Sequence, residues 1–213
     1  MVAVLLVGVS GLAREVLPVL RESGREVLGV LDDRYEVLAP TMSGVPVLGN
    51  VDDVARYPGA EVLVCVGSGA ARAAIVDRMR IDPGRYVSVI DPTVRNPAGC
   101  PVGEGSILLA GVTLTADVTV GAHVVAMPGV TVPHDCVVED FATLASGVSL
   151  GGGVRVGRAA YLGMNAAVLP GSKIGANATV GMGAAVLSDV PQGQTWAGVP
   201  AEHLARNSSG VSS

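Results

Sequence analysis

The chain has 213 residues, a length that accommodates one large domain or two modest ones. Its formal net charge is -5 and only 15% of its residues are charged, so a basic nucleic-acid-binding surface is not indicated. No apolar run reaches the roughly 18 residues of a membrane span, and no basic segment precedes the first apolar run. We therefore expect a cytoplasmic protein without a signal peptide.

Short apolar runs alternate with helical patterns over the first part of the chain. Val2–Val7, Val27–Leu31 and Val62–Val66 are predicted as parallel strands that are buried on both faces. A helix follows the first strand, and Pro18 within it predicts either a kink or a start later than Gly11. Residues 1–91 are thus expected to form a small α/β domain with a parallel sheet. Its other predicted elements are a strand at Val45–Leu48, a short helix at Asp52–Tyr57, a helix at Ala70–Arg80 and a fourth strand at Tyr86–Ile90.

The stretch from Val102 to Val186 repeats every six residues. Every sixth position is Leu, Ile or Val, except Ala126, and the residue two positions earlier is always small or medium-sized. A hexapeptide period is typical of a β-helix, in which each short strand forms one wall of a coil. Three walls would give about 18 residues per coil, with the large side chain filling the interior. We predict a β-helix over residues 92–190; a β-sandwich with this spacing is disfavoured because the register never slips.

Proline and glycine mark both ends of the predicted β-helix. Pro92, Pro97 and Pro101 cluster at the boundary between the two domains. Residues 191–213 are predicted as a C-terminal tail, with a last helical turn at Glu202–Arg206 and a frayed end at Asn207–Ser213.

The three cysteines are predicted to be free thiols in a reducing compartment. Cys100 and Cys136 fall in one interior column two coils apart, at a Cα separation of about 10 Å, which no disulfide spans. Cys65 lies in a predicted buried strand. No cysteine is therefore expected to form a covalent acyl-enzyme.

The first glycine-containing turn is a candidate nucleotide site. Gly8, Ser10 and Ala13 occupy the positions at which a dinucleotide-binding turn has glycine. Backbone N–H groups at such a turn, with a helix start behind them, suit a diphosphate. Asp32 or Asp33, at the end of the second strand, would accept hydrogen bonds from a ribose or a base. The alternative is a tight strand-to-helix turn with a helix cap.

Of the three histidines, His134 is the candidate general base. It falls near a corner of the predicted coil, and the equivalent position one coil later is Gly152, so the pair leaves a concavity. Asp135 follows directly, and a histidine in a notch beside a carboxylate serves as a base near neutral pH. A surface histidine without a role is the alternative. His123 and His203 are predicted to be solvated surface residues.

Several motifs spread over nearly the whole chain together resemble one enzyme family. They are Gly8-Val9-Ser10-Gly11, Leu31-Asp32-Asp33, Pro92-Thr93, Pro133-His134-Asp135-Cys136-Val137-Val138 and Gly198-Val199-Pro200-Ala201. Hexapeptide coils behind a small Rossmann-like domain with these motifs resemble the hexapeptide-repeat sugar acyltransferases. The most similar group contains the sialic acid O-acetyltransferases and the nucleotide-amino-sugar N-acetyltransferases such as the bacillosamine-pathway enzyme.

The resemblance implies a homotrimer of left-handed β-helices. It also implies an enzyme that transfers an acetyl group from acetyl-CoA to the amine of a nucleotide-linked amino sugar, with no metal and no covalent acyl-enzyme. His134 would deprotonate the acceptor, and Asp135 would orient His134. Acetyl-CoA would lie along one coil edge beside Gly152, Met164 and the turn Gly181-Met182-Gly183. The acceptor's nucleotide would bind at Gly8, Ser10, Gly11, Asp32 and Asp33.

Three positions depart from the family pattern. Leu12 and Thr143 stand where many members have histidine, and Met127 stands where many have asparagine. Leu12 bears on the nucleotide contacts and Met127 on the sugar of the acceptor. Thr143 bears on the acyl group of the donor, to which its hydroxyl could still donate a hydrogen bond. We therefore place Met127 in the acceptor site and Thr143 in the acyl-CoA site.

Other functions remain open at this point. One is an O-acetyltransferase acting on a sugar hydroxyl, and another is a non-catalytic β-helix that only binds nucleotide-sugars. A metal-dependent lyase of the carbonic anhydrase type would need three histidines converging on zinc. That function is disfavoured because His123 and His134 fall on different corners of the predicted coil.

Overall fold

The structure, a computed structural model, describes residues 2–205. Its N-terminal part consists of β1 (Val4–Val7), α1 (Gly11–Glu22), β2 (Val27–Leu31), β3 (Thr41–Met42), β4 (Val45–Gly49), β5 (Glu61–Val64) and α2 (Gly69–Met79). The strands form one sheet in the order β3-β4-β2-β1-β5, parallel throughout except for the β3–β4 hairpin. Short 3-10 helices lie at Tyr35–Val37, Val51–Arg56 and Pro83–Arg85.

The central strands of this sheet are buried because helices cover both of their faces. Helix α1 packs its apolar stripe, including Val16 and Leu20, against one face of the sheet. The 3-10 helix Val51–Arg56 and Met79 of α2 pack against the other face. Helix α1 begins at Gly11 and continues through the exposed Pro18, so the later start is wrong.

The rest of the chain is a parallel β-helix of triangular cross-section, as the hexapeptide period predicts. The ladder pairs each strand residue with the one 18 positions later, as Val125 pairs with Thr143. Wall A contains Val89–Ile90, Ile107–Leu108, Val125–Ala126, Thr143–Leu144, Tyr161–Leu162, Thr179–Val180, Thr195–Ala197 and Glu202–His203. Wall B contains Thr113–Leu114, Thr131–Val132, Ser149–Leu150, Ala167–Val168 and Ala185–Val186. Wall C contains Thr119–Val120, Val137–Val138, Arg155–Val156 and Lys173–Ile174.

The interior of the β-helix is aliphatic. The residues of the six-step series and the smaller residues two positions before them form one continuous core, in which Leu144 and Leu162 are 1% and 0% exposed. The three cysteines are free and buried, as predicted. Among residues 2–205, Trp196 is the one aromatic residue that packs against this core, and narrow coils of uniform size therefore stack in register.

Two segments differ from the sequence-based prediction. Tyr86–Ile90 was expected to complete the small sheet, but only Tyr86 bridges to Val62, while Val89–Ile90 pairs with Ile107–Leu108 and opens wall A. Within the predicted tail, Thr195–Ala197 continues wall A beyond Thr179–Val180. The expected helical turn at Glu202–Arg206 is wrong, because Glu202–His203 pairs antiparallel with Trp196 and Ala197. Residues 206–213 of the tail lie outside the described residues.

The N-terminal domain is fixed on wall A. Ile107 and Val125 of wall A join the residues of α1 in a common apolar core. The fully buried side chain of Arg72, in α2, spans the junction: its Nη1 donates to Val66 O at 2.7 Å and its Nη2 donates to Phe141 O at 2.7 Å. Burial lowers the pKa of the Arg72 guanidinium to about 10. This arginine therefore holds the two domains in one orientation.

Within residues 2–205, none of the helices has the length and apolar character needed to cross a membrane.

Candidate active site

His134 lies on the edge at which the chain turns from wall B to wall C, here named the B–C edge. Its Nδ1 is 2.8 Å from Oδ2 of Asp135, and about two thirds of both side chains is exposed. Asp135 occupies the left-handed corner position, with φ 61°. When Nδ1 carries the proton and donates it to the carboxylate, Nε2 of His134 is left with a free lone pair facing solvent. The predicted pair is thus present, with the geometry of an oriented base.

Gly152 forms the notch beside this histidine. It is the corner residue of the next coil, and a β-carbon placed on it would lie 2.5 Å from both Cε1 and Nε2 of His134. The backbone N–H of Gly153 donates to the carbonyl of His134 at 2.8 Å and fixes the spacing between the coils. A side chain at position 152 would therefore displace the imidazole.

The first glycine turn is shaped by its packing against the residues that directly follow β5. Gly8 has φ 102°, and a β-carbon on it would lie 2.7 Å from Val66 Cγ2, so only glycine fits. Ser10 caps α1: its hydroxyl accepts from Ala13 N at 3.0 Å and donates to Cys65 O at 2.6 Å. The hydroxyl of Ser10 is thus used within the protein, while a cavity of about 520 Å³ lies beside Ser10 and Gly11.

The two aspartates at the end of β2 are both held by neighbours. Asp32 accepts from Val9 N at 2.8 Å and from Arg34 N at 2.9 Å. Burial acts to raise the pKa of Asp32, but its bonds from Arg34 and Val9 outweigh burial and lower it. Arg78 donates to both oxygens of Asp33, at 3.0 and 2.7 Å, and this bond lowers the pKa of Asp33. Both carboxylates line a cavity of about 260 Å³ together with Gly8.

A cavity of about 270 Å³ lies between the N-terminal domain and wall A, and we name it the junction cavity. Leu12, Met127 and Thr143, the three positions that depart from the family pattern, all line it. Tyr161 and Met164 complete the side nearest the turn from wall A to wall B, here named the A–B edge. Tyr161 is not among the site residues predicted from the sequence, although the 18-residue register places it directly beside Thr143.

Comparison with known proteins shows the family. The family model of the PglD N-terminal domain matches residues 3–79, and the family model of the hexapeptide repeat of succinyl-transferase matches residues 153–188. The solved structure of PerB from Caulobacter crescentus, in complex with CoA and GDP-perosamine, is 32% identical to this chain. The match covers 95% of this chain and 97% of that chain, with a TM-score of 0.87. The chain belongs to the hexapeptide-repeat sugar acetyltransferases.

Two further solved structures support the assignment of this chain to the hexapeptide-repeat sugar acetyltransferases. The acetyltransferase domain of PglB from Neisseria gonorrhoeae, in complex with acetyl coenzyme A, is 25% identical over 95% of this chain and 98% of that chain, with a TM-score of 0.87. WeeI from Acinetobacter baumannii is 25% identical over 96% of this chain and the whole of that chain, with a TM-score of 0.81. No curated protein sequence matches the chain. The fold is therefore an N-terminal PglD-type domain followed by a left-handed β-helix.

The residues expected along one acyl-CoA groove of the acetyltransferase lie on two different edges. Gly152 is on the B–C edge, between Ser149–Leu150 and Arg155–Val156. Met164 and the turn 181–183 are on the A–B edge, where Met164 and Met182 are 48% and 73% exposed. The expectation of a single edge within one chain is wrong, because three strands per coil separate these positions by a full wall.

Thr143 is also placed differently from the expectation. Its side chain is buried in the domain junction, where its hydroxyl donates to Gly67 O and accepts from Arg72 Nη2, both at 3.0 Å. Because the hydroxyl has one proton, it cannot also donate to an acyl oxygen. The proposed hydrogen bond from Thr143 to the acyl group is therefore wrong, although Thr143 does line the junction cavity.

His123 is not the solvated residue that the sequence suggested. It is 4% exposed, stacks on Phe141 with ring centroids 5.0 Å apart, and meets the edge of Tyr86 at 4.6 Å. Burial lowers the pKa of His123 to about 4. The side chain fits because Gly105 occupies the equivalent position one coil earlier, so His123 has a structural place. His203 is exposed, as expected.

No cluster of three or more His, Cys, Asp or Glu side chains suited to a metal ion occurs in the part of the chain that the structure describes.

Proposed function

We propose that this acetyltransferase transfers an acetyl group from acetyl-CoA to the amine of a nucleotide-linked amino sugar, with His134 as the general base. The observation that carries the proposal is the B–C edge itself: Asp135 holds Nδ1 of the imidazole, and Gly152 leaves Nε2 open. The acceptor class is supported by perosamine N-acetyltransferase from Caulobacter crescentus, 31% identical, whose structure holds CoA and GDP-perosamine. The donor is supported by the Neisseria gonorrhoeae domain, whose structure holds acetyl coenzyme A.

The reaction proceeds by direct attack. The lone pair of the acceptor nitrogen forms a bond to the thioester carbonyl carbon while Nε2 of His134 takes a proton from that nitrogen. The C–S bond then breaks, coenzyme A leaves as the thiolate, and a proton passes to its sulfur. Because the Thr143 hydroxyl is engaged by Gly67, a backbone N–H is the group assigned to the developing oxyanion. Cys136 donates inward to Gly151 O, which supports a route without an acyl-enzyme.

In this proposal the active site is completed by a second copy of the chain in a homotrimer. The N-terminal domain, with the candidate nucleotide residues Gly8 and Asp32, packs on wall A. The B–C edge that carries His134 is the edge of the triangular prism opposite wall A. A nucleotide-sugar bound by the N-terminal domain of one chain would therefore react at His134 of a neighbouring chain. The same arrangement brings the A–B edge of one chain beside the B–C edge of the next, which would join Met164 and Gly152 in one acyl-CoA groove.

The proposal is tested by measuring thiol release from acetyl-CoA with a panel of nucleotide-linked amino and hydroxy sugars. The expected product is an amide, identified by mass spectrometry after mild alkaline treatment, which cleaves an ester but leaves an amide intact. An alkali-labile product would establish the O-acetyltransferase instead. Binding of a nucleotide-sugar without thiol release across the panel would favour the non-catalytic alternative.

A further inference from the structure

We propose that the junction cavity is an acyl-chain subsite, so that the enzyme accepts acyl-CoA donors longer than acetyl and binds their additional carbons there. The inference rests on the proposed function and extends it to the identity of the donor.

The lining of the junction cavity is mostly apolar. Leu12 and Met127 contribute apolar side chains to it, and the hydroxyl of Thr143 is turned to Gly67 and Arg72. Within residues 2–205, no charged side chain lines the cavity. Two hydroxyls, those of Ser146 and Tyr161, also line the cavity, but most of its lining side chains are apolar. The cavity therefore favours a hydrocarbon group.

The volume exceeds what an acetyl methyl requires. The cavity measures about 270 Å³, whereas a single water molecule, which is similar in size to a methyl group, occupies about 30 Å³ in the liquid. An acetyl group would leave most of this apolar space unfilled. Each methylene added to the acyl group would be transferred from water into an apolar environment. A chain of several carbons matches both the volume and the lining.

The position of the cavity assigns this hydrocarbon to the donor rather than to the acceptor. Met164 lines the cavity and is also the first of the two exposed methionines on the A–B edge, the second being Met182 one coil later. A coenzyme A molecule lying along these methionines would direct its thioester end to the mouth of the cavity at Met164. The acceptor would enter from the opposite side, where Leu12 follows Gly11 of the first glycine turn.

The test uses unreactive thioethers of coenzyme A, so that it requires no knowledge of the acceptor. The dissociation constants of S-ethyl-CoA and S-butyl-CoA are measured by isothermal titration calorimetry with the full-length enzyme. Each methylene buried in an apolar site contributes about fourfold in affinity, so S-butyl-CoA is expected to bind about 15-fold more tightly. Equal or weaker binding of S-butyl-CoA would overturn the inference while leaving the proposed function intact. Failure of both thioethers to bind would contradict the proposed function itself.

Variants of the lining residues test whether the tighter binding of S-butyl-CoA depends on the junction cavity. Met127→Asn restores a polar group, and it is expected to reduce the ratio of the two affinities to about twofold or less by removing the apolar contact. Met164→Asn, at a side chain that is 48% exposed, tests the mouth of the cavity without a threat to the fold. Val37→Asn makes the matched change at an 83% exposed residue of the N-terminal domain and should leave the ratio unchanged. If the ratio of the two affinities is unchanged in both methionine variants, the hydrocarbon part of S-butyl-CoA binds elsewhere.

Discussion

A β-carbon on Gly152 would lie 2.5 Å from Nε2 of His134, so these two residues of adjacent coils fit together only because one of them has no side chain. The three atoms nearest to that β-carbon all belong to the imidazole. The glycine therefore sets the position of the histidine.

Gly152→Ala is expected to lower the turnover number without unfolding the protein. The imidazole must rotate or shift by about 1 Å to clear the methyl group, and a displacement of this size costs about 10–100-fold in rate. The measurement is kcat at saturating donor and acceptor, together with the melting temperature. Gly59→Ala, where a β-carbon would meet no atom within 4 Å, is the control. Full activity in Gly152→Ala would remove the glycine from any role in placing His134.

Complementation between two inactive variants tests the assignment of one active site to two chains. His134→Ala removes the base, and Gly67→Trp fills the junction cavity from a position where a β-carbon meets open space. If neighbouring chains share each site, mixed trimers purified by two tags regain about a third of the wild-type activity, since one site in three combines the two intact halves in any trimer that contains both variants. Mixed trimers that stay inactive would contradict the shared site.

Arg72→Met is expected to reduce the free energy of unfolding by more than about 3 kcal/mol, because it leaves several buried acceptors unpaired at once. The groups left without a partner are the carbonyls of Val66, His123 and Phe141. Urea titration followed by circular dichroism measures the loss. Arg56→Met removes a surface ion pair and should cost less than about 1 kcal/mol. Similar losses in the two variants would show that Arg72 does not hold the junction.

His123 makes the stability of the protein depend on pH. Burial lowers the pKa of its imidazole to about 4 in the folded protein, against 6.5 as the ordinary value. The unfolded chain therefore binds the proton first, and stability is lost as the pH falls from above 6.5 towards 4. At about pH 5 the loss due to His123 amounts to about 2 kcal/mol.

The measurement compares wild type with His123→Phe in urea titrations at about pH 7.5 and pH 5. Phenylalanine fits the left-handed corner, since Phe141 occupies the equivalent position one coil later with φ 61°. The variant should lose less stability on acidification than the wild type, by the amount assigned to His123. Equal losses would mean that His123 titrates in the folded state as freely as in the unfolded chain.

The sequence was sufficient to predict the β-helix, because one large aliphatic residue per wall leaves a six-residue period that neither the 3.6-residue repeat of an α-helix nor the two-residue repeat of a strand produces. It was also sufficient to predict the pair of His134 and Asp135 and the glycine beside it, since stacked coils bring residues 18 apart into contact. The separation of Gly152 from Met164 could be read from the same register once three walls were counted.

Features of the domain junction were beyond reach from the sequence. The burial of His123 depends on Tyr86, a residue from the other domain. The hydrogen bonds of the Thr143 hydroxyl depend on Gly67 and Arg72, which also belong to that domain. Periodicity describes each coil and its neighbours, but it carries no information about which face the N-terminal domain covers. An arginine flanked by alanines in α2 was the one local sign that a long cation would be buried there.

The most direct test of the central claim is the turnover number of His134→Ala at saturating acyl-CoA and nucleotide-amino-sugar. The exposed histidine contributes no core packing, so the circular dichroism spectrum and the oligomeric state should be unchanged in the variant. Loss of the base is expected to lower turnover by about 10²–10⁴ with little change in KM for either substrate. Turnover close to that of the wild type would contradict acyl transfer through this histidine.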